Sequence, residues 1–314
     1  MLNYTDIERV VDEVVRSMRQ PDAPVTPAVW AGLPPIQYGG ACKARTAAEN
    51  TARRQESAQF RAQHGLPPDE TRLPDAGLPD AHDPAALARM IAQTPARIGV
   101  GRAGARLRTE TLLRLRADHA AARDAVWTDV DDSLVEQLAL FPIRTCCQSK
   151  AEFITRPDLG RVFSEDTLTA LQQHCTRGID VQLIVSDGLS STAVSANAPR
   201  ILPIVLAGLK EKGLSTGTPV FVKYGRVAAQ DHIAQALDAA VVCSFIGERP
   251  GLATAESMSA YISYRAQPGM PESRRTVVSN IHRNGIPAVE AGAYLVDLIA
   301  HILEQKASGV ALVR

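Results

Sequence analysis

Four short stretches in the second half of the chain combine glycines with groups that can bind, donate or accept protons. They are Ser186-Asp187-Gly188, Tyr224-Gly225-Arg226-Val227, Gly247-Glu248-Arg249, and a turn from Ser279 to Gly285 that carries Asn280, His282 and Arg283. Asp187, Glu248 and His282 could form an acid/base set, since carboxylates and imidazole are the usual proton carriers. Each serves equally well as a helix cap, a buried ion-pair partner or a surface group. The glycines permit close approach of a large flat ligand to the backbone. The sequence has no Ser-His-Asp order, no phosphate-binding loop and no histidine-rich metal box.

Residues of this kind need a scaffold that ends strands next to one another. Residues 240–246 are an apolar run rich in Val and interrupted only by Ser244, and the run breaks abruptly at Gly247-Glu248-Arg249-Pro250-Gly251. Such a run suits a strand buried on both faces of a parallel sheet. Residues 181–185 and 219–224 read as two more strands, with 258–264 and 276–280 as further candidates. Helices are expected within 193–212, beginning after Pro199 and stopped by Gly213, and over 228–237 and 288–306. Strands separated by helices of this length predict an α/β fold with a mainly parallel, doubly wound sheet. Ligands bind such sheets at the carboxyl ends of the strands, where the four stretches fall.

The 314 residues have zero formal net charge and are 45% hydrophobic, as expected of a globular chain rather than a disordered one. No uninterrupted apolar run approaches the roughly 18 residues of a membrane span, and the acidic N-terminus does not read as a secretory signal. Five cysteines without CxxC spacing fit a reducing cytosol; the adjacent Cys146 and Cys147 read as ordinary thiols, with a metal pair as the alternative.

Four regions follow. Residues 1–20 read as an amphipathic helix, with Ile7, Val10, Val11, Val14, Val15 and Met18 on one stripe. Residues 21–84 hold ten of the 20 prolines and read as a linker or loose extension. Residues 85–178 read mostly as helix, one helix starting at Pro84 and another at Thr109, taken as its N-cap. Residues 179–314 carry the sheet. The N-terminal helix either packs on the body of the protein or docks on another. Within the third region, Gly99, Gly101 and Gly104 match a dinucleotide-binding spacing, with Asp118 at the distance of a ribose-binding acid. Their context is poor, because no strand–helix–strand unit surrounds them. Seven arginines between residues 97 and 123 face only Glu110 and Asp118, which allows a nucleic-acid face, a subunit contact or a solvated helix.

Six blocks in consistent order resemble the small subunits of ethanolamine ammonia-lyases: GRAGARLRTETLLRLRADHAAARDAVW, SDGLSS, FVKYGRV, IGERPGL, VSNIH and LEQKASG. The resemblance covers about residues 96–314. It implies a Rossmann-like domain and an adenosylcobalamin-dependent lyase that converts ethanolamine to acetaldehyde and ammonia, an enzyme of ethanolamine catabolism. It implies a hetero-oligomer in which a TIM-barrel large subunit holds substrate and this chain covers the cofactor, contributing no catalytic residue and no metal ligand. Cofactor contacts carry over to Val227, Glu248 and Val277, the last standing where the family often has Cys. Residues 85–178 are then expected to contact the large subunit. Localisation is expected in the cytoplasm, with an N-terminal helix similar to peptides that address enzymes to bacterial microcompartments; no nucleic acid and no membrane are expected as partners. Many other cobalamin proteins carry Asp-x-His-x-x-Gly, whereas here Asp231 and His232 are adjacent, so the cofactor is expected to keep its own dimethylbenzimidazole. Without the resemblance, the residues alone leave open a stand-alone α/β enzyme binding a nucleotide cofactor.

Overall fold

The computed structural model describes Leu78, residues 81–94 and residues 96–313. The expected helix over residues 1–20 and most of the Pro-rich stretch lie outside the described residues.

The described chain opens with helix α1 (Pro84–Ala92), capped by Asp83, whose side chain accepts from the Ala86 N–H. Pro84 stands at the start of the helix, where a missing N–H costs nothing. A two-stranded hairpin, β1 (Arg102–Ala103) and β2 (Arg106–Leu107), leads into the long helix α2 (Thr109–Trp127). Thr109 is the first helical residue and not the cap; Arg108 precedes it with no side-chain capping bond. Gly99 and Gly101 therefore lie in a loop and Gly104 in the hairpin turn, with no strand–helix–strand unit around them. Asp118 is taken up in an ion pair with Arg97. The dinucleotide reading of that motif loses both its scaffold and its acid.

Helix α3 (Asp132–Gln137), strand β3 (Phe141–Arg144) and helices α4 (Lys150–Thr155) and α5 (Glu165–His174) follow. Then come β4 (Val181–Ser186), α6 (Ser191–Glu211), β5 (Val220–Lys223), α7 (Ala229–Leu237) and β6 (Val241–Gly247). The antiparallel pair β7 (Met258–Tyr264) and β8 (Thr276–Ile281) and the long helix α8 (Ala288–Gln305) complete the order. Six of the strands form one sheet in the order β3-β5-β4-β6-β7-β8. The first four run parallel, and β7 is antiparallel to both its neighbours. The sheet is thus mixed but mostly parallel. β3 shows that the stretch before residue 179 is not wholly helical.

Two apolar layers cover the sheet. Val181, Leu183 and Val185 of β4 face a core shared with Ile201, Val205 and Leu209 of α6 and Leu295 and Ile299 of α8. Ile184 faces the other way, into a core with Leu171 of α5 and Ile233 and Leu237 of α7. All six β4 residues are buried, as a strand with helices on both sides requires.

Helix α6 begins at Ser191, eight residues before Pro199, and runs through both Pro199 and Pro203. Each proline removes one backbone hydrogen bond. Burial of Val194, Ala198, Ile201 and Leu202 against the sheet outweighs that loss, and Ser190 caps the first turn through Ala193 N–H. By length and composition α6 could cross a membrane, but its apolar side is the core of this fold. At the far edge, Arg275 binds Asp231 of α7 through two hydrogen bonds of 2.6 and 2.8 Å, both side chains nearly fully buried, and so ties α7 to the entry of β8.

Candidate functional site

The chain leaves β4 through α6 on one face to reach β5, then crosses back through α7 on the other face to β6, which lies on the far side of β4. The connections from this part of the sheet therefore diverge, and a crevice opens at the carboxyl ends of the strands. The turns after β4, β5 and β6 meet there. Gly188, with φ of 54°, lets the first turn press on the third; a Cβ on it would collide with the carbonyl of Gly247. Leu189 N–H donates to that same carbonyl at 2.9 Å.

Val227 and Glu248 line one small cavity of about 110 Å³ in this crevice, together with Gly225, Arg226 and Tyr261. Glu248 Oε1 accepts a hydrogen bond of 2.9 Å from the Tyr261 hydroxyl. Burial, and then the charge of Glu248, push the Tyr261 phenol up to about 12, so it stays a donor. Glu248 keeps further lone pairs for a ligand that brings N–H groups. Arg226 forms the opposite wall. Its guanidinium lies 4.2 Å from the centre of the Phe153 ring and donates to the Phe153 carbonyl at 2.8 Å, while Nε has no hydrogen-bond partner among the described residues. Burial lowers its pKa, and Arg161 and Arg249 act in the same direction.

Val277 stands one strand away. It pairs with Tyr261 across β7 and β8, so the two side chains share a face of the sheet. Val277 is 42% exposed, and Ser279 beside it is exposed too. A shallow groove of about 540 Å³ extends from Glu248 and Tyr261 to Ser279 and Asn280. The loop that borders it is pinned from α6: Ser190 and Thr192 hydroxyls donate to the Ala255 carbonyl at 2.5 and 3.0 Å, and Asn197 donates to the Glu256 carbonyl at 2.8 Å. Of the serines in the SDGLSS block, Ser190 thus holds the loop beside the groove, while Ser186 and Ser191 donate to the Val222 and Thr128 carbonyls.

The acid/base set does not assemble. Asp187 is buried and accepts from the Tyr224 and Gly225 N–H groups at 2.8 and 3.3 Å. His282 lies on a different groove, with Arg283 and Asp124, and its Nδ1 accepts from the Asn284 N–H. Tyr261 is a site residue that sequence reasoning missed. The alternation along residues 258–264 places it opposite the buried Ala260 and Ile262, but only the strand register brings it to Glu248. Cys146, Cys147, Cys175 and Cys243 are free thiols.

The profile of the ethanolamine ammonia-lyase light chain (EutC) matches residues 84–313. The chain belongs to the ethanolamine ammonia-lyase light-chain family. It is 60% identical to the ethanolamine ammonia-lyase small subunit of Clostridium tetani over 224 residues, which is 71% of this chain and 76% of that one. The small subunit from Clostridium acetobutylicum is 52% identical over 72% of this chain and 93% of its own length. That of Listeria monocytogenes is 49% identical over 75% and 80%. A light chain is one component of a lyase with two kinds of subunit, so the site described above is to be understood as part of a larger one.

Proposed function

We propose that this chain is the cofactor-covering subunit of an adenosylcobalamin-dependent lyase that converts ethanolamine to acetaldehyde and ammonia, with a TIM-barrel large subunit as its partner. The observation that carries the reading is that Val227 and Glu248, separate in sequence, line one cavity, with Val277 on the adjoining open face of the sheet. The enclosed volume is well below the roughly 300–1,000 Å³ of an ordinary ligand pocket. It fits one side-chain amide of a large ring, not the ring itself. The open groove beside it offers a shelf for the rest, and a second chain would have to close the other side.

When bound, adenosylcobalamin supplies radical chemistry through its cobalt–carbon bond. The residues of this chain bind and orient. Glu248 accepts from an amide of the corrin periphery, held at the correct rotamer by Tyr261. The turn containing Val227 contributes backbone and apolar contact. Val277 offers an apolar surface without sulfur. We read the fold as Rossmann-like and place the exposed Leu112, Leu113 and Trp127 of α2 against the large subunit. The four-region division holds as a proposal, as do a cytoplasmic location and an N-terminal helix addressed to a microcompartment shell. Purified alone, the chain should neither turn over ethanolamine nor hold cobalamin tightly; mixed with its large subunit it should do both. Turnover by the isolated chain would overturn the reading.

A further inference from the structure

A buried ion pair lies directly behind the turn that carries Val227. Asp187, at the end of β4, has its side chain 1% exposed, and Lys150, at the start of α4, 8% exposed. Lys150 Nζ and Asp187 Oδ2 face each other at 3.7 Å, and neither atom makes a hydrogen bond among the described residues. The other oxygen of the carboxylate holds the Tyr224 and Gly225 N–H groups. Tyr224 has a φ of 61°, a left-handed conformation that is costly for a non-glycine residue and persists only where its surroundings over-determine it. Its ring carries the ammonium groups of Lys150 and Lys223, each 5.4 Å from its centre. Asp129 closes the network from the solvent side, 3.5 Å from Lys150, 3.1 Å from Lys223 and 3.4 Å from the Tyr224 hydroxyl. The next residues along the chain, Arg226 and Val227, line the cavity.

A buried ion pair is a poor source of stability, because desolvation consumes most of the attraction. Strained backbone, in contrast, is typical of binding loops. The geometry points to Asp187 and Lys150 as positioning residues that lock the Tyr224–Val227 turn in its cofactor-binding shape, with Asp129 modulating the charge of the lock. The inference rests on the reading of Val227 and Glu248 as cofactor contacts. Ionised, Asp187 is a strong acceptor for the two N–H groups; protonated, it holds them less tightly and leaves Lys150 with the partly exposed Asp129 as its remaining carboxylate. Burial raises its carboxyl to about 6; Lys150 and the two N–H donors pull it down, and Asp129 pushes it up. Lys223, Tyr224 and Arg226 are the remaining ionisable groups around it.

The test is the dissociation constant of cyanocobalamin for the assembled two-subunit enzyme between pH 5 and 8, read as free corrinoid absorbance after ultrafiltration. Lys150→Met should weaken binding about tenfold at pH 7, as when the competent fraction of a loop falls tenfold, and Lys150→Arg should recover most of the loss. Wild-type affinity should fall on acidification with a midpoint near the Asp187 value of about 6. Lys150→Met should move that midpoint up, and Asp129→Asn, at a partly exposed position, should move it down. Opposite shifts are not expected of two merely structural lesions. An unmoved midpoint in Asp129→Asn, or a Lys150→Met variant that binds like wild type throughout, overturns the inference. Should Lys150→Met fail to fold, the Asp129→Asn shift decides alone. A wild-type complex that binds no cyanocobalamin overturns the cofactor reading and this inference with it, whereas normal binding with unmoved midpoints overturns this inference only.

Discussion

The contact between Glu248 and Tyr261 can be tested as a pair. Glu248→Ala should leave the fold intact, because the backbone there is held independently by the Glu248 N–H donating to the Ser257 carbonyl at 3.0 Å. What it removes is an acceptor already oriented at 2.9 Å by a tyrosine hydroxyl. A hydrogen bond to a charged group is worth about 1.5–3 kcal/mol, so cobalamin affinity should fall about tenfold to a hundredfold. Tyr261→Phe removes only the orienting donor, and the loss should be smaller, about 0.5–1.5 kcal/mol or twofold to tenfold. The two losses should not add. Once Glu248 is gone, Tyr261 has nothing to orient, so Tyr261→Phe should change little in the Glu248→Ala background. The assay is cyanocobalamin binding to the assembled enzyme in all four combinations. Full additivity would refute the claim that Tyr261 acts through Glu248. Unchanged affinity in Glu248→Ala would remove Glu248 from the site altogether.

Three further outcomes follow from the same geometry. Arg275→Met strips a buried carboxylate of its bidentate partner and should destabilise the chain by about 3–5 kcal/mol, measured by urea unfolding. Asp187→Asn should change the pH dependence of stability. The buried acid of the wild type holds its proton up to about 6 against 3.8 when unfolded, so its stabilising contribution is complete below 3.8 and is lost as the pH rises through about 6. Over the full range that rise is worth about 3 kcal/mol, so the stability of the Asn variant relative to wild type should improve by about 2 kcal/mol between pH 4 and pH 7; a constant difference would contradict it. Val277→Trp, at an exposed position, should alter stability by less than about 0.5 kcal/mol yet weaken cobalamin binding in the assembled enzyme; retained affinity would take the β8 face out of the site.

The sheet was legible where the chain buries both strand faces. Runs such as residues 181–185 and 240–246 are apolar but for Gln182 and Ser244 because helices cover both sides, and their ends predicted the crevice. Strand β3 was not legible. It has four residues, and Pro142 within it lacks an N–H, which an edge strand tolerates and a central one does not. The start of α6 was misplaced because Pro199 reads as a helix start, while its true cap is Ser190 and packing carries the helix through two prolines. Glu248 and the turn holding Val227 were legible as strand-end groups, which explains why they meet in one cavity; their reading as cofactor contacts came from the family resemblance. Tyr261 and Lys150 were invisible for a different reason. Their importance lies in contacts made by strand register and by the approach of α4 to the β4 and β5 ends, neither of which leaves a mark in local sequence.

The central claim is that this chain supplies one wall of a shared cobalamin site. Reconstitution measures it most directly: ethanolamine turnover and cobalamin retention are recorded for this chain, for the large subunit, and for the mixture with adenosylcobalamin. Tight retention and turnover should occur only in the mixture, and Glu248→Ala should raise the cofactor concentration that the mixture needs. Turnover by this chain alone, or a large subunit that retains cobalamin equally well without it, would contradict the claim.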